Sequence, residues 1–212
     1  MKKNILLLFI TVILFIQCKK DDTKTTYEVT FDINWNEKDF PIKYPSNPHF
    51  SKIIGWSHSS SNDFFDLETM ASEGIKKMAE LGSTGPLSEE ISDKIKDKKG
   101  HDLVIGNNLG SGVGKITVEI EVNEKNPSVT LATMIAPSPD WYLAVVNVNL
   151  YEGGEFVADK IINASLFDAG TDSGSDYTSS NEVTNPQAAI SELVYSPLSN
   201  GFTFSTVMFR KK

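Results

Sequence analysis

The densest run of oxygen ligands in the chain is Asp168-Ala169-Gly170-Thr171-Asp172-Ser173-Gly174-Ser175-Asp176, with aspartates at i, i+4 and i+8. Hard divalent cations such as calcium take about six to eight oxygens, and clustered aspartates supply charge and ligands together. Gly170 and Gly174 let the backbone turn tightly enough to bring carboxylates and carbonyls toward one point. The spacing is not that of an EF-hand, whose early ligands alternate and are followed by a glutamate. Asp, Ser and Gly are also ordinary turn formers, so the run by itself fits a plain loop as well as a metal site. A second segment, Ala136-Pro137-Ser138-Pro139-Asp140-Trp141, sets one carboxylate in a proline-stiffened turn beside a tryptophan.

Other chemistries find little footing. Neither G-x-S-x-G nor H-E-x-x-H occurs, and a single cysteine, Cys18, excludes a cysteine zinc site, a CxxC redox pair and a disulfide framework. His58 stands among Ser57, Ser59, Ser60 and Ser61, a grouping that serine-rich loops produce without catalysis. His49 and His58 are expected to hydrogen-bond within a proline-rich loop, His101 to follow Gly100 in a turn, and Glu89-Glu90 to be solvated on a polar helix. With 28 acidic against 20 basic side chains the net charge is −8, which argues against a nucleic-acid binder, since that needs a basic footprint to displace counterions.

The elements that must position these residues read mainly as strands. In a chain of 212 residues that is 40% hydrophobic, one folded domain is expected. Tyr27, Val29, Phe31, Ile33 and Trp35 alternate with polar residues, as do Ile116, Val118, Ile120 and Val122, the pattern of sheets with one solvated face. Further strands are expected over 129–136, 142–151, 155–167 and 202–209, with 143–150 inside a sheet because both its faces are apolar. Leu67, Met70, Ala71, Ile75, Met78 and Ala79 instead follow helical spacing up to Gly82, and a second, more polar helix is expected from about Pro86 to Lys98. Prolines 41, 45 and 48 force an irregular loop, and the Ser/Thr/Asn-rich stretch 173–185 reads as another. No repeat is visible. The fold class is mainly β, an antiparallel β-sandwich with an inserted helical segment.

The N-terminus stands apart from this fold. Lys2 and Lys3 precede an apolar run from Ile5 to Ile16 that is broken only by Thr11, and Cys18 follows. Twelve helical residues reach about 18 Å, short of the roughly 30 Å hydrocarbon core of a bilayer, so a secretory signal is favoured over a membrane span. A signal ending at a lone cysteine resembles a bacterial lipoprotein signal, which implies lipidation of Cys18, although Gln17 is larger than the usual residue before it. The expected organisation is a signal peptide over 1–17, a polar tether over 18–26 and a β-sandwich over 27–212. Cleavage before Cys18 removes two lysines and takes the net charge from −8 to −10.

Several blocks in order resemble the spondin domain, the N-terminal module of F-spondin and mindin. They are Tyr27 to Phe31 with Trp35; His49-Phe50-Ser51, Ile54-Gly55 and His58-Ser59; Ala71 to Gly74 with Ala79-Glu80 and Gly82; Gly110 to Gly114; Ala136 to Trp141; and Asp168 to Gly174. The resemblance implies a β-sandwich with calcium as cofactor, its carboxylate ligands mapping onto Asp140, Asp168 and Asp172. Two departures stand out: Val146 where animal members carry an aspartate, and no second cysteine to form their bridge near Tyr151.

The expectation is a non-enzymatic, calcium-containing binding or adhesion module of the cell envelope, anchored as an outer-membrane lipoprotein through Cys18. Its partner is an unidentified extracellular or envelope protein or glycan, and it contacts the membrane only through the lipid. The alternative is an envelope domain in which calcium is purely structural. Replacing Cys18 by serine should move the protein from the membrane fraction to the soluble fraction; unchanged fractionation with an intact Met1 overturns the anchor.

Overall fold

A computed structural model describes residues 23–61, 64–194, 197–198 and 200–212. Cys18 and the signal segment lie outside the described residues.

Alternation becomes sheet where it was expected. β1 (Lys24–Asn34) buries Tyr27, Val29, Phe31 and Ile33 and turns their polar neighbours outward. It lies between β5 (Val113–Asn123) and β13 (Ser205–Lys211), and β10 (Asp159–Asn163) completes a four-stranded antiparallel sheet in the order β10-β13-β1-β5. β1 begins at Lys24, inside the expected tether, because Lys24 to Thr26 pair with Asn123 to Glu121.

The second sheet is built from β2 (His49–Phe50), β3 (Ile54–His58), β4 (Gly100–Ile105), β6 (Ser128–Ala136), β7 (Trp141–Asn149), β11 (Ser165–Asp168) and β12 (Ser191–Glu192). Its order is β12-β11-β7-β6-β3-β4, with β2 added beside β6. β7 runs inside this sheet, between β6 and β11, as its two apolar faces require. One buried cluster fills the space between the sheets, with Trp35 and Trp141 both in it.

The expected strand over 155–167 is instead three strands. A hairpin of β8 (Tyr151–Glu152) and β9 (Glu155–Phe156) comes first, then β10 in one sheet and β11 in the other. The chain changes sheet at Ala164, whose N–H donates to Ser205 O, so one apolar run serves two layers.

The helical segment covers the outer face of the second sheet. α1 (Glu73–Leu81) and α2 (Leu87–Lys96) bury Ile75, Met78, Ala79, Leu87 and Ile91 with Ile54, Trp56 and Tyr142 in a second cluster. Ser72 caps α1 by accepting from Ile75 N at 3.2 Å, and Gly82, at φ 64°, ends it in the left-handed region. Leu67 and Met70 are not on this helix and are exposed, contrary to the expected stripe. Ser72 starts the helix after them, and Met70 forms an isolated bridge with Ala189. Met78→Asp should cost about 3 kcal/mol or more, because it buries an unpaired charge, and urea denaturation reads that loss.

Candidate functional site

The turn between β6 and β7 is closed by Ser138, whose hydroxyl donates to Ile135 O at 2.6 Å and accepts from Trp141 N at 3.2 Å. Asp140 leaves this turn with no exposure to solvent. β11 runs antiparallel to β7 with Asp168 opposite Trp141, so the chain after β11 emerges beside Asp140. Gly170 then turns it at φ 71°, and a Cβ there would stand 2.4 Å from Ala188 O, so only glycine fits.

Asp140 is the centre of the cluster. Its Oδ2 accepts from Thr171 N at 2.6 Å, Asp172 N at 3.0 Å and Thr171 Oγ1 at 3.2 Å, while its carbonyl accepts from Ala169 N at 3.2 Å. Its Oδ1 is buried with no hydrogen-bond partner. Asp168 Oδ1 accepts from Gly170 N at 2.7 Å. The Trp141 indole N–H is turned toward Asp168 and helps hold its charge, although it falls short of full hydrogen-bond geometry. Asp172 accepts from Gly174 N at 2.8 Å and Glu182 N at 3.2 Å, one amide on each oxygen.

The partners of these three carboxylates are neutral, and the electrostatics follow. Burial pushes the Asp140 carboxyl up to about 6, the neighbouring Asp168 charge adds to that rise, and the amides of Thr171 and Asp172 oppose it. Asp168 is also raised, chiefly by burial and further by Asp172, against the pull of Gly170 N and Trp141. Asp176, the last aspartate of the run, lies apart in an ion pair with Lys43 at 2.6 Å, which holds its carboxyl below the usual range. Asp140, Asp168 and Asp172 are thus brought to one end of the sandwich. Among the described residues no group of three or more His, Cys, Asp or Glu side chains has the arrangement of a metal centre.

Outside this cluster three sequence readings change. His58 is not in the proline-rich loop; it is fully buried in β3, stacked on Trp56 at 5.0 Å and bonded to Ser59 O and Thr130 Oγ1. Ser57 Oγ donates to Glu121 O, so the serine–histidine neighbours are built into sheet packing. His101 belongs to β4 and meets Glu121 at 2.6 Å. Glu90 is not simply solvated: it accepts from Ser72 Oγ at 2.6 Å and Gly74 N at 2.8 Å, tying the start of α1 to α2. That contact spans helices 18 residues apart, which no local pattern reveals. His49 does remain in the proline-rich region, its Nδ1 meeting Asn47 O at 2.7 Å.

The Spondin_N family model matches residues 25–205. The chain is 31% identical over 176 residues to Spondin-2 of Rattus norvegicus and 30% identical over 174 residues to Spondin-2 of Homo sapiens, covering 80% of this chain and 53% of each relative. It is 36% identical over 176 residues to Spondin-1 of Homo sapiens, covering 79% of this chain and 21% of that protein. The chain therefore spans about half the length of the Spondin-2 relatives and about a fifth of Spondin-1.

The buried cluster sets a pH dependence. A raised Asp140 pKa means that the folded state keeps a proton which the unfolded chain, with an aspartate value near about 3.9, releases. The contribution of Asp140 to stability therefore falls as pH rises from about 4 to about 6 and stays lower above that window. With chelator present, Asp140→Asn should gain about 2–3 kcal/mol relative to the parent between pH 4 and pH 7, as urea denaturation at each pH measures. A constant difference between the two proteins across that range overturns this reading.

Proposed function

The chain belongs to the Spondin_N family, and on that premise we propose that it is a non-enzymatic, calcium-containing binding module held at the cell envelope by lipid on Cys18. The observation that carries the calcium reading is Asp140. A carboxylate with one oxygen clasped by two amides and a hydroxyl, and the other buried without a donor, is set up to meet a cation. Asp168 supplies the second negative charge and raises the cost of leaving the pair unneutralised. Asp172 is the third ligand of this reading: each of its oxygens has a lone pair beyond the one its amide uses, and closing the three carboxylates on one ion requires the loop to shift from the arrangement described above. Bound calcium would neutralise this charge and fix the loop; Asp140, Asp168 and Asp172 would hold it, with backbone carbonyls or water as further hard oxygen ligands.

A second reading, in which the ion is purely structural, is favoured by burial. Asp140 has no exposure and Asp172 is 6% exposed, so an ion between them has little surface to offer a partner. On this reading the partner, an extracellular or envelope protein or glycan, binds a part of the domain unrelated to the ion. No described helix is long and apolar enough to cross a membrane, and the proposed attachment is through the lipid.

A ligand that binds only the folded state stabilises it by RT ln(1 + [L]/Kd), about 2.7 kcal/mol at a hundredfold excess over Kd. Calcium should therefore raise the melting temperature in a scanning thermal assay. Asp168→Asn or Asp172→Asn should remove most of that rise, and Asp176→Asn should leave it, since Asp176 is engaged by Lys43. A melting curve indifferent to both calcium and chelator overturns the calcium reading. Screening the calcium-loaded protein on glycan and matrix-protein arrays then separates the two readings: partner binding lost with Asp168→Asn supports the first, and binding that survives it supports the second.

A further inference from the structure

The two ends of the sandwich differ in charge. β1 starts at Lys24 opposite Asn123, the last residue of β5, and Lys211 near the end of β13 pairs with Tyr27. A short turn leads from Asn123 into β6, whose first residue, Ser128, pairs with His58 of β3 and Asn149 of β7. Gly100 of β4 joins the same end through His58. Asp140 and Asp168 lie at the opposite end of β6, β7 and β11. Among the described residues, segments 24–28, 57–61, 93–102, 119–128, 149–160 and 210–212 build the first end and carry ten basic and ten acidic side chains. All other described residues carry six basic and fifteen acidic ones, so the whole described charge of −9 sits away from the Lys24 end.

Covalent geometry places that end. Six residue steps separate Cys18 from Lys24, which reach about 20 Å at full extension. The 11 residues of β1 span about 35 Å, so the aspartate cluster stands well beyond a Debye length of about 8 Å from whatever surface Lys24 approaches.

We propose that the Lys24 end is a bilayer-apposed face whose partner is the phosphate of anionic phospholipid headgroups, and that Asp140, Asp168 and Asp172 point away from the membrane; this rests on the lipidated Cys18 proposed above. Lys98, Lys99, Lys125, Lys211 and Lys212 are exposed on this end, Lys99 paired with Asp97 at 3.6 Å and Lys212 with Glu119 at 2.6 Å, on long stems that can bring an ammonium to a phosphate. An anionic surface attracts these lysines and repels the acidic remainder, and both effects turn the domain the same way. The tether keeps this end within about 20 Å of the surface, so that its lysines repeatedly enter the zone where that potential acts.

The full-length lipidated protein reconstituted in vesicles tests this. Single cysteines are introduced at Lys125, on the proposed face, or at Gly110, at the far end, where a Cβ meets nothing within 4 Å. Each carries a fluorophore read against a headgroup-attached quencher. In phosphatidylcholine vesicles with about one-third phosphatidylglycerol, quenching at 125 should exceed that at 110 several-fold. The contrast should shrink in 1 M salt, where the Debye length falls to about 3 Å, and in a Lys98→Glu/Lys99→Glu/Lys211→Glu variant. Intact mass of the N-terminal peptide reads the lipid independently. Lipidated Cys18 with equal quenching at both positions overturns the orientation and leaves the anchor standing; an unmodified Cys18 overturns the anchor and the orientation with it.

Discussion

The clasp on Asp140 is the contact on which this end of the sandwich depends. A carboxylate removed from water must recover its hydrogen bonds, and Asp140 recovers three of them from Thr171 and Asp172 on a different turn. That requirement ties the β6–β7 turn to the loop after β11, two segments about 30 residues apart that share no strand. The same contact leaves Oδ1 bare and Asp168 close by, so the geometry that orders the loop also concentrates uncompensated charge. Local stability here is surrendered to hold two neighbouring carboxylates in one fixed arrangement.

Beneath the clasp an aromatic layer fixes the loop from below. Tyr177, within a stretch that has no strand, is buried against Trp141 at 5.6 Å and Trp35 at 5.2 Å. Trp35 in turn meets Tyr44, Phe50 and Phe204 at 5.6–5.9 Å, which links β1, the proline-rich loop, β2 and the approach to β13. Edge-to-face and tilted pairs of this kind are directional as well as apolar, so they set where the loop sits. A loop rich in Ser, Thr and Gly is therefore held by one buried tyrosine together with backbone bonds such as Ser173 N to Glu182 O and Thr184 N to Thr171 O.

Much of the fold was legible because alternation with a period of two survives wherever one sheet face is wet, as in β1 and β5. It failed where one apolar run crosses between layers, over 155–167, since periodicity does not record a change of sheet. The short strands β2, β3 and β4 carried no usable pattern: β3 is buried at every position, and β2 is two residues long. At the site, the aspartates were visible from their spacing with glycine and proline, but the order of the cluster was not. That Asp140 rather than Asp168 or Asp172 holds the centre follows from register, Asp168 against Trp141, which only the assembled sheet sets. The role of Glu90 is hidden from the sequence for the same reason, because its partners lie at the start of another helix.

The loop after β11 also meets other segments at its end of the sandwich. Asp176 reaches the proline-rich loop through Lys43, Gly170 O accepts from Ala188 N, and Ile190 N donates to Thr69 O in the segment that leads to α1. Exposed apolar side chains lie on these same segments: Ile42, Met70 and Val183. A perturbation at Asp140 is therefore felt first in the loop, then in the proline-rich loop and the segment before α1, and it reaches the core between the two sheets through Tyr177. The fold so divides its labour along the strand axis. One end carries balanced charge and the start of β1, and the other carries the buried aspartates and the loop that Asp140 keeps in one shape.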